Sequence, residues 1–116
     1  MTKRQASPAR SAPRKVRGSR TGRPIMALLD LLGRRWTLRI VWELRDEALT
    51  SRALREACDD ASPTVINDRL TELRGAGLVE TLEAGGYRLT DGGRELLDLF
   101  LPLQKFANGW PPFKTR

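Results

Sequence analysis

The sequence has no histidine, and Cys58 is its only cysteine. An intramolecular disulfide, a zinc site of cysteine and histidine ligands, and a Ser-His-Asp or Cys-His catalytic pair are therefore excluded. The longest apolar runs fall far short of the roughly 20 residues that a membrane-spanning helix needs. The carboxylates of Asp59 and Asp60 lie in a polar turn without a partner base, which is typical of solvated or capping residues. We therefore expect no enzyme, no metal site, no cofactor and no membrane partner.

Positive charge is concentrated at the amino terminus. The 116 residues carry 21 basic and 14 acidic side chains, a net charge of +7. Eight of the basic residues and no acidic residue fall within residues 1–24, so the remainder of the chain is nearly neutral. This segment is rich in Ser, Pro, Ala and Gly and has too few apolar residues to offset its ordering entropy. The composition predicts a disordered basic tail over 1–22, a folded domain over 23–110 and a short tail over 111–116.

The basic tail has three possible roles. A flexible arm can hold polyanions, because neutralised phosphates release counterions without requiring a fixed structure. A solvated extension that aids solubility fits the composition equally well. An organellar transit peptide is less consistent with the sequence, since an apolar amphipathic face is lacking.

From Pro24 onward, the pattern of apolar residues and caps predicts five helices and a β-hairpin. Pro24 suits a first helical turn, and Thr50, Ser62 and Thr90 are good N-caps for three later helices. The predicted helices cover 24–32, about 34–45, a short segment after residue 50, 63 to about 74, and 91 to about 107; the predicted strands cover 78–82 and 87–89. The result is a mainly α fold with a small β-hairpin, in the order α-α-α-α-β-β-α.

This order is typical of a winged helix-turn-helix, in which the second helix of the pair enters the DNA major groove. In the fourth helix, Ile66, Leu70 and Leu73 share one face, which we expect to be buried. The opposite side is short and polar, so the helix could approach base edges closely, and Asn can pair bidentately with adenine. The candidate base-reading residues are Thr64, Asn67, Asp68, Arg69 and Thr71.

Other polar residues are placed to contact the phosphate backbone. Helix starts expose free N–H groups that hold phosphates, and basic side chains beside the recognition helix pair with them. The candidate backbone contacts are Thr50, Ser51, Arg52, Ser62, Arg74 and Arg88.

The last helix has more apolar surface than a domain of this size can cover. Leu96, Phe100, Leu103, Phe106 and Trp110 are expected to form one stripe, with a second stripe beside it. A second subunit is the natural cover, helped by the first helix, and a two-fold dimer implies an inverted-repeat site with recognition helices roughly 34–36 Å apart. The candidate interface residues are Ile25, Leu28, Leu29, Leu97, Phe100, Leu101, Leu103, Phe106 and Trp110.

Short motifs along the folded domain form a recognisable set. They are 30–38, Ile40 and Glu43-Leu44, Ser62-Pro63, Arg69-Leu70, Glu72-Leu73, 77–79, Leu89-Thr90 and 93–96. Together they resemble the HxlR-type transcriptional regulators, relatives of the MarR winged-helix group. The resemblance covers roughly residues 23–110, and it implies a dimeric bacterial regulator that binds double-stranded DNA, working in the cytoplasm at the nucleoid.

The sequence departs from that family at two points. Many members carry a cysteine before the proline that corresponds to Pro24, and some use it to sense electrophiles or oxidants; here the position is Arg23. The hairpin is also several residues shorter than is usual in that family. Cys58 lies four residues after Leu54 on one helix face, so we expect a buried thiol rather than a substitute sensor. An effector pocket near Trp36, Trp42 and Phe100 is not distinguished from ordinary core.

Two further functions stay open beside a sequence-specific DNA-binding regulator. The nearly neutral body is compatible with a winged helix that binds protein partners. The basic tail is compatible with RNA binding, although Tyr87 is alone in the hairpin and offers no aromatic pair for stacking bases.

Overall fold

The computed structural model of the chain describes residues 22–111. The basic tail over 1–21 and residues 112–116 lie outside the described residues, so the predictions made for them are not addressed by the structure. The elements are α1 (Pro24–Leu32), α2 (Thr37–Glu43), α3 (Ser51–Ala57), α4 (Pro63–Gly75), β1 (Val79–Thr81), β2 (Tyr87–Leu89) and α5 (Asp91–Asn108). The predicted order of elements and the winged helix-turn-helix fold are confirmed.

Hydroxyl caps set the starts of α3, α4 and α5. The side chain of Thr50 accepts a hydrogen bond from the N–H of Ala53 at 3.0 Å, and that of Ser62 accepts one from Val65 at 3.1 Å. Pro63 follows as the first residue of α4, where its missing N–H costs no hydrogen bond. These local signals explain why the boundaries of α3 and α4 match the sequence prediction.

The core lies where α2, α3 and α4 meet the hairpin and the first half of α5. Its fully buried members include Cys58, whose predicted burial is confirmed. The core residues are Ile40, Val41, Leu44, Leu54, Cys58, Ile66, Leu70, Leu73, Val79, Leu89 and Leu97, with Trp36, Trp42 and Phe100 packed against them from the periphery.

The second helix begins three residues later than the sequence pattern indicated. Trp36 has a φ of 75° and lies in the left-handed region, so the helix cannot extend back through it. The indole of Trp36 lies 5.0 Å from the guanidinium of Arg35. The preceding residues form turns instead, and Arg34 sits between α1 and α2.

The hairpin is extended by a backbone bridge that the sequence did not predict. Val79 pairs with Leu89 and Thr81 with Tyr87 in an antiparallel register. Leu49 also exchanges both backbone hydrogen bonds with Tyr87, at 2.8 and 3.0 Å. The segment that enters α3 is thereby fixed to the hairpin.

α5 approaches the hairpin closely at its first turn. The hydroxyl of Thr90 accepts from the N–H of Gly93 at 3.0 Å and donates to the carbonyl of Gly77 at 2.6 Å. Gly93 is buried, and a Cβ there would collide with the carbonyl oxygen of Leu78. The glycine is required because the helix backbone packs directly on the connection from α4 to β1.

None of the helices over residues 22–111 is both long and apolar enough to cross a membrane.

Candidate DNA-binding face

The two sides of α4 differ in burial as its sequence predicted. Ile66, Leu70 and Leu73 are buried in the core, whereas Asn67 and Thr71 are exposed. Thr64, Asp68, Arg74 and Gly75 complete the exposed side, and no large apolar group lies among them. Because all these residues share one helix surface, the side chains form a continuous polar face with a single larger group, the guanidinium of Arg74. We call Thr64, Asn67, Asp68, Thr71 and Arg74 the polar face of α4.

Arg69 does not belong to that face. Its side chain is 16% exposed and turns toward Glu72, with Nε 3.1 Å from Oε1 and Nη2 3.2 Å from Oε2. The spacing of three residues places the two side chains next to each other on the flank of the helix. In this conformation Arg69 is held by a carboxylate instead of being presented with Asn67 and Thr71, unlike the other four residues expected to read bases.

The hydroxyls at the starts of α3 and α4 cap their helices and keep a donor unused. Those of Thr50 and Ser62 accept from the helix N–H groups, which leaves each hydroxyl proton available for a second partner. Both residues are exposed, and Ser51 beside Thr50 is half-buried. A phosphate oxygen is an acceptor of the kind these donors and the N-terminal helix dipoles favour.

The three arginines expected at the phosphate backbone differ in their partners. Arg74 is exposed and forms no ion pair or hydrogen bond through its side chain within residues 22–111. Arg52 is 82% exposed and lies 3.7 Å from Glu56. Arg88 is paired more closely, with its Nε 2.7 Å from Oε2 of Glu80 across the hairpin. Of these three arginines, Arg74 is therefore the most available to an anion, whereas a phosphate would compete with Glu80 for Arg88.

An open groove runs between the end of α4 and β1. It is lined by Thr71, Arg74, Gly75, Val79, Glu80 and Thr81. Thr71 and Arg74 thus belong to both the polar face of α4 and the edge of this groove, which connects the helix to the hairpin.

Exposed apolar side chains lie on α1 and on α5. Ile25 and Leu29 of α1 are more than half exposed, and α1 contains no buried residue. On α5, Leu99, Leu103 and Phe106 are exposed at spacings of four and three residues, which places them along one line of the helix. Trp110 is exposed two residues beyond the end of the helix, and we call these four residues the α5 seam. The rings of Phe106 and Trp110 stack with centroids 6.3 Å apart.

The structure corrects part of the expected interface. Leu97 is 6% exposed and belongs to the chain's own core, and Phe100 packs against that core, so neither offers much surface to a partner. Leu99 is 69% exposed and was missed by the sequence analysis. Its regular spacing from Leu103 could have revealed it, but Leu96 and Phe100 offered a competing stripe. Leu28 is half-buried, and Leu101 is 39% exposed but lies off the seam.

Cys58 is enclosed by the core at the end of α3. Its side chain is fully buried, and desolvation raises the pKa of its thiol above the ordinary value, with Arg39 opposing that shift. The thiol therefore stays protonated at neutral pH, which is the unreactive form.

The α3–α4 pair, the hairpin and the polar face of α4 define a winged helix-turn-helix protein of the DNA-binding class. The model of the HxlR-like helix-turn-helix family matches residues 31–114. YvaP of Bacillus subtilis, an uncharacterized HTH-type transcriptional regulator, is 31% identical over 88 residues, which are 71% of this chain and 82% of that protein. The chain belongs to the HxlR-like helix-turn-helix family, and it is a DNA-binding transcriptional regulator.

Solved structures agree with this assignment. Quinone-bound YodB from B. subtilis is 28% identical with a TM-score of 0.69, over 74% of this chain and 97% of that one. A possible HxlR family transcriptional factor from Thermoplasma volcanium GSS1 is 26% identical with a TM-score of 0.66, over 74% and 83% of the two chains. Proteins of this family are regulators of transcription and not a class of enzymes.

Proposed function

We propose that the protein binds an inverted-repeat operator as a homodimer and reads it with the polar face of α4. The observation that carries this proposal is the outward exposure of Asn67 and Thr71 on a helix whose opposite side is fully buried. Small polar side chains let the helix backbone approach the floor of the major groove, and the amide of Asn67 can pair with an adenine edge. Thr64 and Asp68 lie beside it, with Asp68 suited to accept from a cytosine amino group.

Contacts to phosphates would fix the position of that helix on the duplex. Arg74 supports this role best because its guanidinium is exposed and without a carboxylate partner among residues 22–111. Thr50, Ser51 and Ser62 add donors at two helix starts, and Arg52 adds an exposed cation. Arg88 contributes less, since it would have to leave Glu80. These contacts carry no sequence information and set register and orientation.

Dimerisation is supported by the apolar surface that remains uncovered. The α5 seam spans twelve residues of the chain, and Ile25 and Leu29 of α1 are exposed as well. A contiguous apolar surface of this kind is unfavourable in water and is typical of an interface. A second copy of the chain, related by a two-fold axis, would cover both surfaces and place two α4 helices on successive turns of DNA.

The basic tail would add affinity without selectivity. Its cations can neutralise phosphates along the flanking duplex, and each neutralised phosphate steepens the dependence of binding on salt. Deleting residues 1–22 should therefore weaken binding to all duplexes and flatten the salt slope. An unchanged slope would assign the tail to solubility instead.

The proposed base contacts can be tested by selecting duplexes from a random-sequence library with the wild-type protein. The Asn67→Ala variant is then compared on the selected operator and on a scrambled duplex. Loss of one bidentate contact should reduce the preference for the operator by roughly 5- to 150-fold, corresponding to about 1–3 kcal/mol, while binding to the scrambled duplex persists. Asn108→Ala is the matched control, because Asn108 is an exposed asparagine at the far end of α5.

The selection also separates the competing functions. Enrichment of two half-sites in inverted orientation supports the homodimer on DNA. If no sequence is enriched at moderate salt, the winged helix is instead an interaction module for proteins. Preferential retention of single-stranded RNA over duplex DNA would favour the RNA-binding alternative.

A further inference from the structure

A carboxylate on the flank of α4 connects this helix to the end of α1. The carboxylate of Glu72 forms an ion pair with the guanidinium of Arg69 on the same helix. Its Oε2 also lies 3.6 Å from Nη1 of Arg34. Arg34 follows α1 directly and binds the carboxylate of Asp30 at 3.2 Å, one turn back in that helix. The four charges therefore alternate in sign along a chain that runs from α1 to α4: Asp30, Arg34, Glu72 and Arg69.

Part of this row of charges is shielded from water. The Nε atoms of Arg34 and Arg69 and the Oε1 atom of Glu72 are inaccessible to solvent and satisfy no hydrogen-bond geometry, while 36% of the Arg34 side chain and 30% of the Glu72 side chain stay exposed. The shielded atoms depend on their ionic partners, because water does not reach them. Within this row of charges, Glu72 is the only member that pairs with a cation on each side, Arg69 of α4 and Arg34 beyond the end of α1.

The two elements that Glu72 joins carry the two exposed surfaces. α1 contains no buried residue and offers Ile25 and Leu29 to the proposed partner subunit. α4 offers its polar face to DNA. Apolar packing of α1 on the body is therefore limited, which leaves the angle between α1 and α4 more dependent on the ion pair between Arg34 and Glu72.

We propose that Glu72 is a positioning residue that fixes α4 relative to α1, so that in the dimer it sets the distance between the two recognition helices. This inference rests on the proposed function. In a two-fold dimer a change in the angle between α1 and α4 is doubled, because it occurs once in each subunit. The property that Glu72 controls is thus the preferred spacing of the two half-sites, separately from the recognition of each half-site.

The experiment measures binding to the operator selected by the wild-type protein and to a series of duplexes in which the half-sites are moved apart or together by one or two base pairs. Glu72→Gln retains the shape of the side chain and removes its charge. Arg34→Met removes the partner from the α1 side without touching α4. Each variant is expected to reduce the preference for the native spacing about 5-fold or more, and the double variant should reduce it no further than one single change, since residues of one network are not additive.

Glu43→Gln is the matched control, because Glu43 also pairs with an arginine, Arg39 at 2.7 Å, but does so within α2, and neither residue is among those proposed to contact DNA or the partner subunit. It should leave the spacing preference unchanged. Melting temperatures of all variants are compared, so that a general loss of stability, which lowers binding to every spacing alike, is distinguished from a change in spacing preference.

Two results would overturn the inference while leaving the proposed function intact. If Glu72→Gln and Arg34→Met both retain the wild-type spacing preference, Glu72 does not position the helix. If Glu72→Gln raises binding to all duplexes with a steeper salt slope and Arg34→Met has no effect, the carboxylate merely restrains Arg69 from reaching phosphates. If the wild-type protein selects no inverted repeat at all, the proposed function fails first.

Discussion

α4 and α5 both present a long exposed face, yet the two faces are chemically opposite. The polar face of α4 consists of threonine, asparagine, aspartate and arginine, with the apolar side chains of that helix buried in the core. The α5 seam consists of leucine, phenylalanine and tryptophan, although Leu97 on another side of that helix is already buried. α4 therefore buries its apolar side chains in the core and exposes hydrogen-bonding groups. α5 also buries apolar side chains in the core, but its exposed side is apolar as well.

This difference indicates the kind of partner that each face can accept. Hydrogen-bonding groups on a solvated helix cost nothing in water and gain specificity when they meet base edges. Large apolar groups are unfavourable in water, and covering them with a complementary apolar surface stabilises the complex. A single residue change can therefore disable one face without touching the other.

The largest effect is expected from Phe106→Glu in the α5 seam. The phenyl ring is 63% exposed in the single chain, so the fold should persist, but a carboxylate buried between two subunits would lack a partner. Dimer dissociation should increase by at least about 100-fold, since burial of the ring is lost and a charge is desolvated. Sedimentation velocity measures this change.

Asn108→Glu adds the same charge two residues later, nearly on the opposite side of α5, and should leave the assembly intact. If Phe106→Glu remains as dimeric as the wild-type protein, the seam is not the interface. Loss of dimer with retained affinity for the inverted repeat would instead show that the two faces act independently.

The next effect concerns the place where α5 packs on the rest of the domain. Gly93→Ala introduces a Cβ into the carbonyl oxygen of Leu78, and neither backbone can easily yield. We expect the free energy of unfolding to fall by about 1–3 kcal/mol, as for other overpacked sites. Gly92→Ala is the control, because its Cβ would meet ordinary contacts at 3.5 Å or more. Urea unfolding that shows equal stability for both variants would contradict this packing.

A smaller effect is expected at the hydroxyl caps of α4 and α5. Ser62→Ala and Thr90→Ala each remove a hydroxyl that accepts from a backbone N–H at 3.0–3.1 Å, which should destabilise the protein by about 1 kcal/mol, and Thr90→Ala should cost more because it also removes the bond to Gly77. Ser62 is also proposed to donate to a phosphate, whereas Thr90 donates to Gly77 within the fold. DNA affinity should therefore fall more for Ser62→Ala than for Thr90→Ala. Equal affinities, measured by fluorescence anisotropy at fixed salt, would remove Ser62 from the interface.

Much of the fold followed from local signals in the sequence. The caps and Pro63 defined α4, and the spacing of its leucines predicted which side is buried. The bridge between Leu49 and Tyr87 could not be predicted in this way, because backbone pairing between distant segments leaves no pattern in either one. The late start of α2 depends on the positive φ of Trp36. A positive φ is rare for a bulky residue, so the sequence could not predict it at this position.

The candidate site was less predictable than the fold. The polar character of α4 is visible in its sequence. The orientation of the Arg69 side chain is not, because it depends on the ion pair with Glu72, which in turn pairs with Arg34 outside α4. Leu97 and Leu99 are both leucines of one amphipathic helix, so composition could not decide which is buried. That decision depends on how α5 rotates about its contact with the hairpin at Gly93.

The smallest expected effect is the absence of reaction at Cys58, which is buried in the core and belongs to neither exposed face. Burial raises the pKa of the thiol, so the folded protein favours the protonated form. Its contribution to stability is complete below the pKa of the unfolded thiol and is lost as pH rises through the higher pKa of the folded state. Iodoacetamide at neutral pH should therefore modify Cys58 only after urea unfolding, and DNA binding should not change on exposure to a quinone. Rapid alkylation of the folded protein, read by mass spectrometry, would mean that the end of α3 opens and that a thiol can respond to electrophiles even with arginine at position 23.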